Sequence, residues 1–149
     1  MDEKIKQERK ITLVLDHDGV LDCGDSPAFI AELSKIDPDQ VDIYVCSAMF
    51  NQNKRDALVR QGLDNVDYKT SYYLEGWGKD KKESWHRIVQ QLKERTSKEI
   101  SEDRMIVVDN DRRHCYAAMA NGIFPVFWDD ERDPKTLWDA LISKGYKMN

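Results

Sequence analysis

The sequence is poor in cysteine. Cys23, Cys46 and Cys115 are its only three, odd in number and far apart. That argues against a disulfide framework and fits a reducing compartment. There is no Cys-x-x-Cys pair, so a structural zinc site is not expected. None of the three has an arginine six positions on, the spacing that a cysteine-dependent phosphatase requires. Long apolar runs are also missing, and no stretch nears the roughly 18 residues that cross a bilayer. Residues 1–10 carry no apolar core, so no secretory leader is expected and the cytoplasm is the expected address. Residues 1–9 are expected to be a flexible lead-in. Positive charge is in deficit, with a net charge of −5 at pH 7. A dedicated binder of nucleic-acid phosphates would usually be basic, so that class is disfavoured, though a nucleotide substrate is not. No internal repeat, low-complexity tract or linker interrupts the chain.

Apolar residues make up 40% and charged residues 34%, which suits one globular domain over residues 1–149 with a single sizeable core. Ile11–Leu15 is a continuous apolar run of the kind that forms a buried parallel strand. Ser26 is expected to cap a helix with Pro27 at its first position. Phe29, Ile30, Leu33 and Ile36 recur at helical spacing until Asp37-Pro38 stops them. Val41–Cys46 reads as a second strand, and Asn51 opens a helix that Gly62 closes. A weak strand is expected around Val66–Tyr68, and Gly76 and Gly78 mark a turn. Asp80 and Glu83 then stand at capping-box spacing before a helix with Trp85, Ile88, Val89 and Leu92 on one face.

Met105–Asp109 is another apolar strand ending in an acid, and a helix follows it to Asn121-Gly122. Ile123–Phe127 is the last strand, placed at a sheet edge by Pro125. Asp133-Pro134 opens a final helix that presents Leu137, Trp138, Leu141 and Ile142 and ends near Gly145. Strict alternation of strand and helix predicts an α/β fold: a Rossmann-like three-layer α/β/α sandwich around a parallel sheet of about five strands.

In such sheets chemistry gathers beyond the carboxyl ends of the strands. Asp16 and Asp18 stand there after the first strand, with Gly19 allowing close backbone approach, and together suit a cation site that also holds a nucleophile. Ser47 follows the second strand, Lys79, Lys81 and Lys82 cluster at the start of a helix, and Asp109 follows the strand Met105–Asp109. Other phosphate-binding patterns fail. No Gly-x-Gly-x-x-Gly follows the first strand, Gly78-Lys79 is followed by Asp80, and Tyr73 stands where a P-loop needs its first glycine.

Asp16-His-Asp18-Gly-Val-Leu-Asp resembles the first motif of the haloacid-dehalogenase-like superfamily of Mg2+-dependent phosphohydrolases. Ser47, the lysine cluster and Asp109, with the Ala117-Ala118 and Gly122 spacing behind it, follow in the order of that family's further motifs. The resemblance spans about residues 10–127. It implies that Asp16 is the nucleophile and a metal ligand, forming an aspartyl-phosphate. It implies that Asp18 protonates the leaving oxygen, activates the hydrolytic water and gives its carbonyl to Mg2+. Asp109 would complete the protein's share of the metal shell, and Ser47 with Lys81 or Lys79 would hold the phosphoryl oxygens. An acid two positions after the nucleophile separates phosphate chemistry from the family's carbon–halogen cleavage.

Only 30 residues separate Asp16 from Ser47 and 33 separate Ser47 from Lys81, so no cap domain is expected. Capless relatives tend to accept large phosphorylated substrates, such as nucleic-acid ends or phosphoproteins. No membrane partner is expected.

Blander readings stand beside these. Paired acids after a strand also form solvated turns, and Asp109 is also placed to cap a helix. Many relatives carry a further acid where this chain has Asn110 or Arg113. Asp111 is read equally as a water-mediated ligand or a helix cap. His17, His86 and His114 are read as surface residues or outer supports, since the family mechanism needs no histidine. The rival functions are a phosphate-binding regulatory module, a plain cation binder, and a phosphotransferase to an acceptor other than water.

Overall fold

A computed structural model describes residues 10–16, 26–46, 56, 60, 81–128 and 133–148. Four strands form one parallel sheet among them: β1 (Ile11–Asp16), β2 (Val41–Cys46), β3 (Met105–Asp109) and β4 (Phe124–Phe127). About five strands were expected. The candidate fifth, around Val66–Tyr68, lies outside the described residues, as do the turn at Gly76 and Gly78, Asn51, Gly62 and Asp80. The helices are α1 (Ser26–Leu33), α2 (Lys81–Thr96), α3 (Arg112–Ala120) and α4 (Pro134–Ser143). Asp56 and Arg60 are also helical, within the stretch expected to be a helix.

The strand order is β2-β1-β3-β4. The chain leaves β1 for β2 on one side and returns to β3 on the other, so the order reverses between β1 and β3. That reversal opens a crevice at the strand carboxyl ends, where open α/β sheets bind ligands. Among the described residues β4 is an edge strand, as Pro125 predicted, because a residue without an N–H cannot serve a central ladder.

Alternation along the strands sorts the core into two layers. Leu13 and Leu15 of β1, Ile43 and Val45 of β2, and Ile106 and Val108 of β3 pack with Phe29, Ile30 and Leu33 of α1 and Leu137 and Leu141 of α4. Val14, Tyr44, Met105 and Val107 face the other way, toward Trp85, Ile88, Val89 and Leu92 of α2 and Ala117 and Ala118 of α3. The sheet is thus sandwiched between two pairs of helices, as the alternation of elements predicted.

Several boundaries differ from expectation. α1 ends at Leu33 rather than running to Asp37-Pro38. Its last turn tightens as Lys35 N–H bonds the Glu32 carbonyl and Ile36 N–H the Leu33 carbonyl. The Ser34 hydroxyl donates to the Ala31 carbonyl at 2.7 Å, a local competitor to the helical ladder. Ile36 is buried all the same, and the Asp37 N–H donates to the Tyr146 hydroxyl at 2.9 Å. Ser26 is the first helical residue rather than a cap outside the helix. β4 begins at Phe124, one residue later than expected, with Ile123 buried just before it. In α4, Asp133 caps the helix as expected, while Ile142 is 49% exposed and not part of the buried face.

Candidate active site

β1 and β3 are adjacent and parallel, with Leu15 in register with Val108. One residue further, both strands end, in Asp16 and Asp109. Neighbouring strands lie about 4.8 Å apart, so these two residues are side-by-side neighbours at the point where the strand order reverses. Both belong to the α2/α3 face by alternation, since Val14 and Val107, two residues earlier, pack there. Asp16 is half-buried, and Asp109 is only 1% exposed. A carboxylate that deep is stable only if its charge is well partnered.

The turn after β3 supplies partners. The Asp111 N–H donates to Asp109 Oδ1 at 2.9 Å, and His114 Nδ1 lies 3.2 Å from Asp109 Oδ2. These contacts engage both oxygens of the carboxylate. The backbone of Asp109 is fixed as well: its carbonyl accepts the Trp128 N–H at 2.9 Å, with Cys115 Sγ 3.6 Å away. The carboxylate is therefore held at both its side chain and its main chain.

Asp111, read equally as a ligand through water or a cap, is the cap of α3. Its side chain accepts the Arg113 N–H at 2.9 Å, and its other oxygen takes Arg113 Nη2 at 2.9 Å. The hydrogen bond from the Arg113 guanidinium is the main reason its carboxyl is held down, from an ordinary 3.8 to about 2. Burial works in the opposite direction, and the Arg113 N–H and the His114 charge add to the lowering. Arg113 turns to Asp111.

His114 is the residue that sequence reasoning undervalued. Its side chain is only 16% exposed and lies between Asp109 and Asp111, with Nε2 3.7 Å from Asp111 Oδ2. Its carbonyl oxygen accepts the indole N–H of the buried Trp85 at 3.0 Å. Position alone carried a hint: His114 is the third residue of a helix that starts three residues after a strand-end acid, so its ring can fold back over the turn.

Of the other expected site residues, Lys81 is the first residue of α2, one turn before Trp85. Asp18, Ser47 and Lys79 lie outside the described residues. No group of three or more His, Cys, Asp or Glu side chains forms a metal cage among the described residues.

An all-oxygen pair of carboxylates nonetheless fits Mg2+, which is commonly held by one or two carboxylates with waters and phosphate oxygens. Asp109, buried at the strand end next to that of Asp16, is placed to supply such oxygens.

No protein-family model matches the chain, and no curated protein does. Among solved structures, it resembles an uncharacterized protein from Corynebacterium glutamicum at 14% identity and a TM-score of 0.59, covering 93% of this chain and 97% of the other. It also resembles the N-terminal part of the protein BF1531 from Bacteroides fragilis, described as containing a phosphatase domain complexed with Mg. That match has 16% identity and a TM-score of 0.57, and covers 91% of this chain but 41% of the other. At such identities the likeness is one of fold, and the α/β architecture is common to all three. No helix among the described residues is long and apolar enough to cross a membrane.

Proposed function

We propose that the protein is a Mg2+-dependent phosphohydrolase of the haloacid-dehalogenase-like type, cleaving phosphomonoesters through an aspartyl-phosphate on Asp16. The observation that carries this reading is the juxtaposition of Asp16 and Asp109 at the ends of β1 and β3, where the strand order reverses. The fold shared with a phosphatase domain complexed with Mg supports it.

In this reading an Asp16 oxygen attacks phosphorus. The new O–P bond forms as the bond to the leaving oxygen breaks, and Asp18 gives that oxygen its proton. Asp18 then takes a proton from water, whose oxygen attacks the same phosphorus, so that inorganic phosphate leaves and Asp16 is restored. Ser47 and a lysine, Lys81 or Lys79, stabilise the charge that builds on the phosphoryl oxygens. Asp16, Asp109 and the Asp18 carbonyl would hold Mg2+, which when bound neutralises charge on the carboxylate and phosphoryl oxygens so that the two anions can approach. With no cap domain in the reading, the substrate class is large phosphorylated molecules, nucleic-acid ends or phosphoproteins among them.

The test is a panel of phosphoesters incubated with the purified chain and Mg2+: nucleotides, sugar phosphates, phosphopeptides, and oligonucleotides with a 3′ or 5′ phosphate. The reading expects phosphate release from at least one class and its loss in Asp16→Asn. Beryllium fluoride should form a phosphoryl-like adduct on Asp16. No release across the panel, or an Asp16→Asn variant as active as the native chain, would overturn it.

A further inference from the structure

A backbone N–H and a side chain hold a strand-end carboxylate, and both come from one short helix start. The Asp111 N–H reaches Asp109 Oδ1 across a tight turn and is fixed by the backbone. His114 Nδ1 reaches the other oxygen, and its ring is half-buried with its far nitrogen toward Asp111 Oδ2. The main chain of His114 is held as well, because the Trp85 indole N–H of α2 donates to its carbonyl.

A histidine on a solvated helix start would sample several rotamers, whereas here packing and two carboxylates select one. A carboxylate that is hydrogen-bonded at both oxygens presents its remaining lone pairs in one direction. Partners of that kind commonly change metal affinity by about 10–100-fold when removed.

We propose that His114 is a positioning residue for Asp109: its Nδ1–H donates to Asp109 Oδ2 and aims the carboxylate at the cation that the proposed function requires. The inference rests on that reading for the identity of the cation, and on the geometry of α3 for everything else. It gives a role to a residue that the general phosphohydrolase chemistry does not need. It also links the helix that Lys81 opens to the turn that holds Asp109, since Trp85 and His114 join α2 to α3. Asp109 is thereby oriented from its own turn and, through one hydrogen bond, from the neighbouring helix.

Calorimetric titration of the full chain with Mg2+ alone separates the possibilities, with thermal melting of each apo variant as the control for folding. His114→Leu should weaken Mg2+ binding by about tenfold or more. His114→Asn, whose amide nitrogen sits near the place of Nδ1, should restore most of it. Nitrogen-15 NMR of the native apo protein should find the Nδ1 of His114 protonated. Native-like Mg2+ affinity in His114→Leu would overturn the proposal alone. So would equal weakening in the Leu and Asn variants with equal losses in melting temperature, which would mark a purely structural role. If the native chain binds no Mg2+ at all, the proposal falls together with the phosphohydrolase reading, and phosphate release in the panel would fail with it.

Discussion

The indole N–H of Trp85 donates to the carbonyl oxygen of His114 at 3.0 Å, joining α2 to α3 directly behind Asp109. Trp85 is 1% exposed, so this bond is shielded, and deleting the N–H leaves the His114 carbonyl with its partner within α3 alone. Trp85→Phe keeps an aromatic ring in the α2/α3 core but loses this bond and some volume. Its expected cost is about 2 kcal/mol in unfolding free energy, measured by urea titration. If the chain acts as proposed, phosphate release should fall more than the small folded-state loss explains, because α2 and the Asp109 turn lose their joint. A Phe variant with native stability and native turnover would show that the bond is incidental.

Asp16 and Asp109 stand at adjacent strand ends, one of them buried, and bringing two carboxylate charges together disfavours folding. Asp16→Asn should therefore be more stable than the native chain in a chelator, by roughly 1 kcal/mol or about 2–4 °C in Tm for a chain of this size. Added Mg2+ should raise the native Tm and leave the variant nearly unmoved. Differential scanning calorimetry with chelator and with Mg2+ measures both. A variant that melts below the native chain in chelator would sink the claim that these charges repel.

How far the sequence revealed the site follows from which forces act locally. β1 and β3 were legible because an apolar run that ends in an acid needs only its own residues to be recognised, and the face of α2 was legible because Trp85, Ile88, Val89 and Leu92 keep helical spacing. The pairing of Asp16 with Asp109 followed once the strands were taken as parallel neighbours.

The contact of His114 with Asp109 was not legible, because it depends on the angle at which α3 leaves the turn and on Trp85, 29 residues away, seating that turn. Asp111 was undecided for the same reason: an acid at a helix start caps or ligates according to where its neighbour Arg113 turns. The end of α1 was misread because Ser34 bonds back to the Ala31 carbonyl and the distant Tyr146 holds the Asp37 N–H, a contact that no local pattern shows.

Two helix ends test the backbone rather than the site. Gly122 after α3 has φ +79° and Gly145 after α4 has φ +99°. A Cβ at Gly122 would meet only the Glu102 Cβ at 3.8 Å, and one at Gly145 would meet nothing within 4 Å. Substitution by alanine is thus opposed by backbone strain alone, about 1 kcal/mol at each site, with Gly145→Ala the costlier because its φ lies farther from the left-handed minimum. Asparagine, which tolerates that region, should recover part of each loss. Urea titration of the four variants decides it, and asparagine variants no more stable than alanine ones would point to a contact rather than strain.

Asp111 gives the fold a dependence on pH that can be isolated. The Arg113 guanidinium, donating to its side chain, is the largest reason its carboxyl is held down to about 2, against an ordinary 3.8. Because the folded value is the lower one, the charged cap contributes stability in full above about pH 4, and that contribution fades as pH falls through about 2. Arg113 has a side chain 76% exposed, so solvent screening trims the contribution to the order of 1 kcal/mol. Asp111→Asn keeps an acceptor for the Arg113 N–H but lacks the charge. It should be less stable than the native chain by that amount at neutral pH, and the gap should close as the solution is acidified from about pH 4 to about pH 2. Urea titrations of both proteins across that range measure the gap directly, and a gap that does not change with pH would mean that the ion pair adds nothing beyond the hydrogen bonds of the cap.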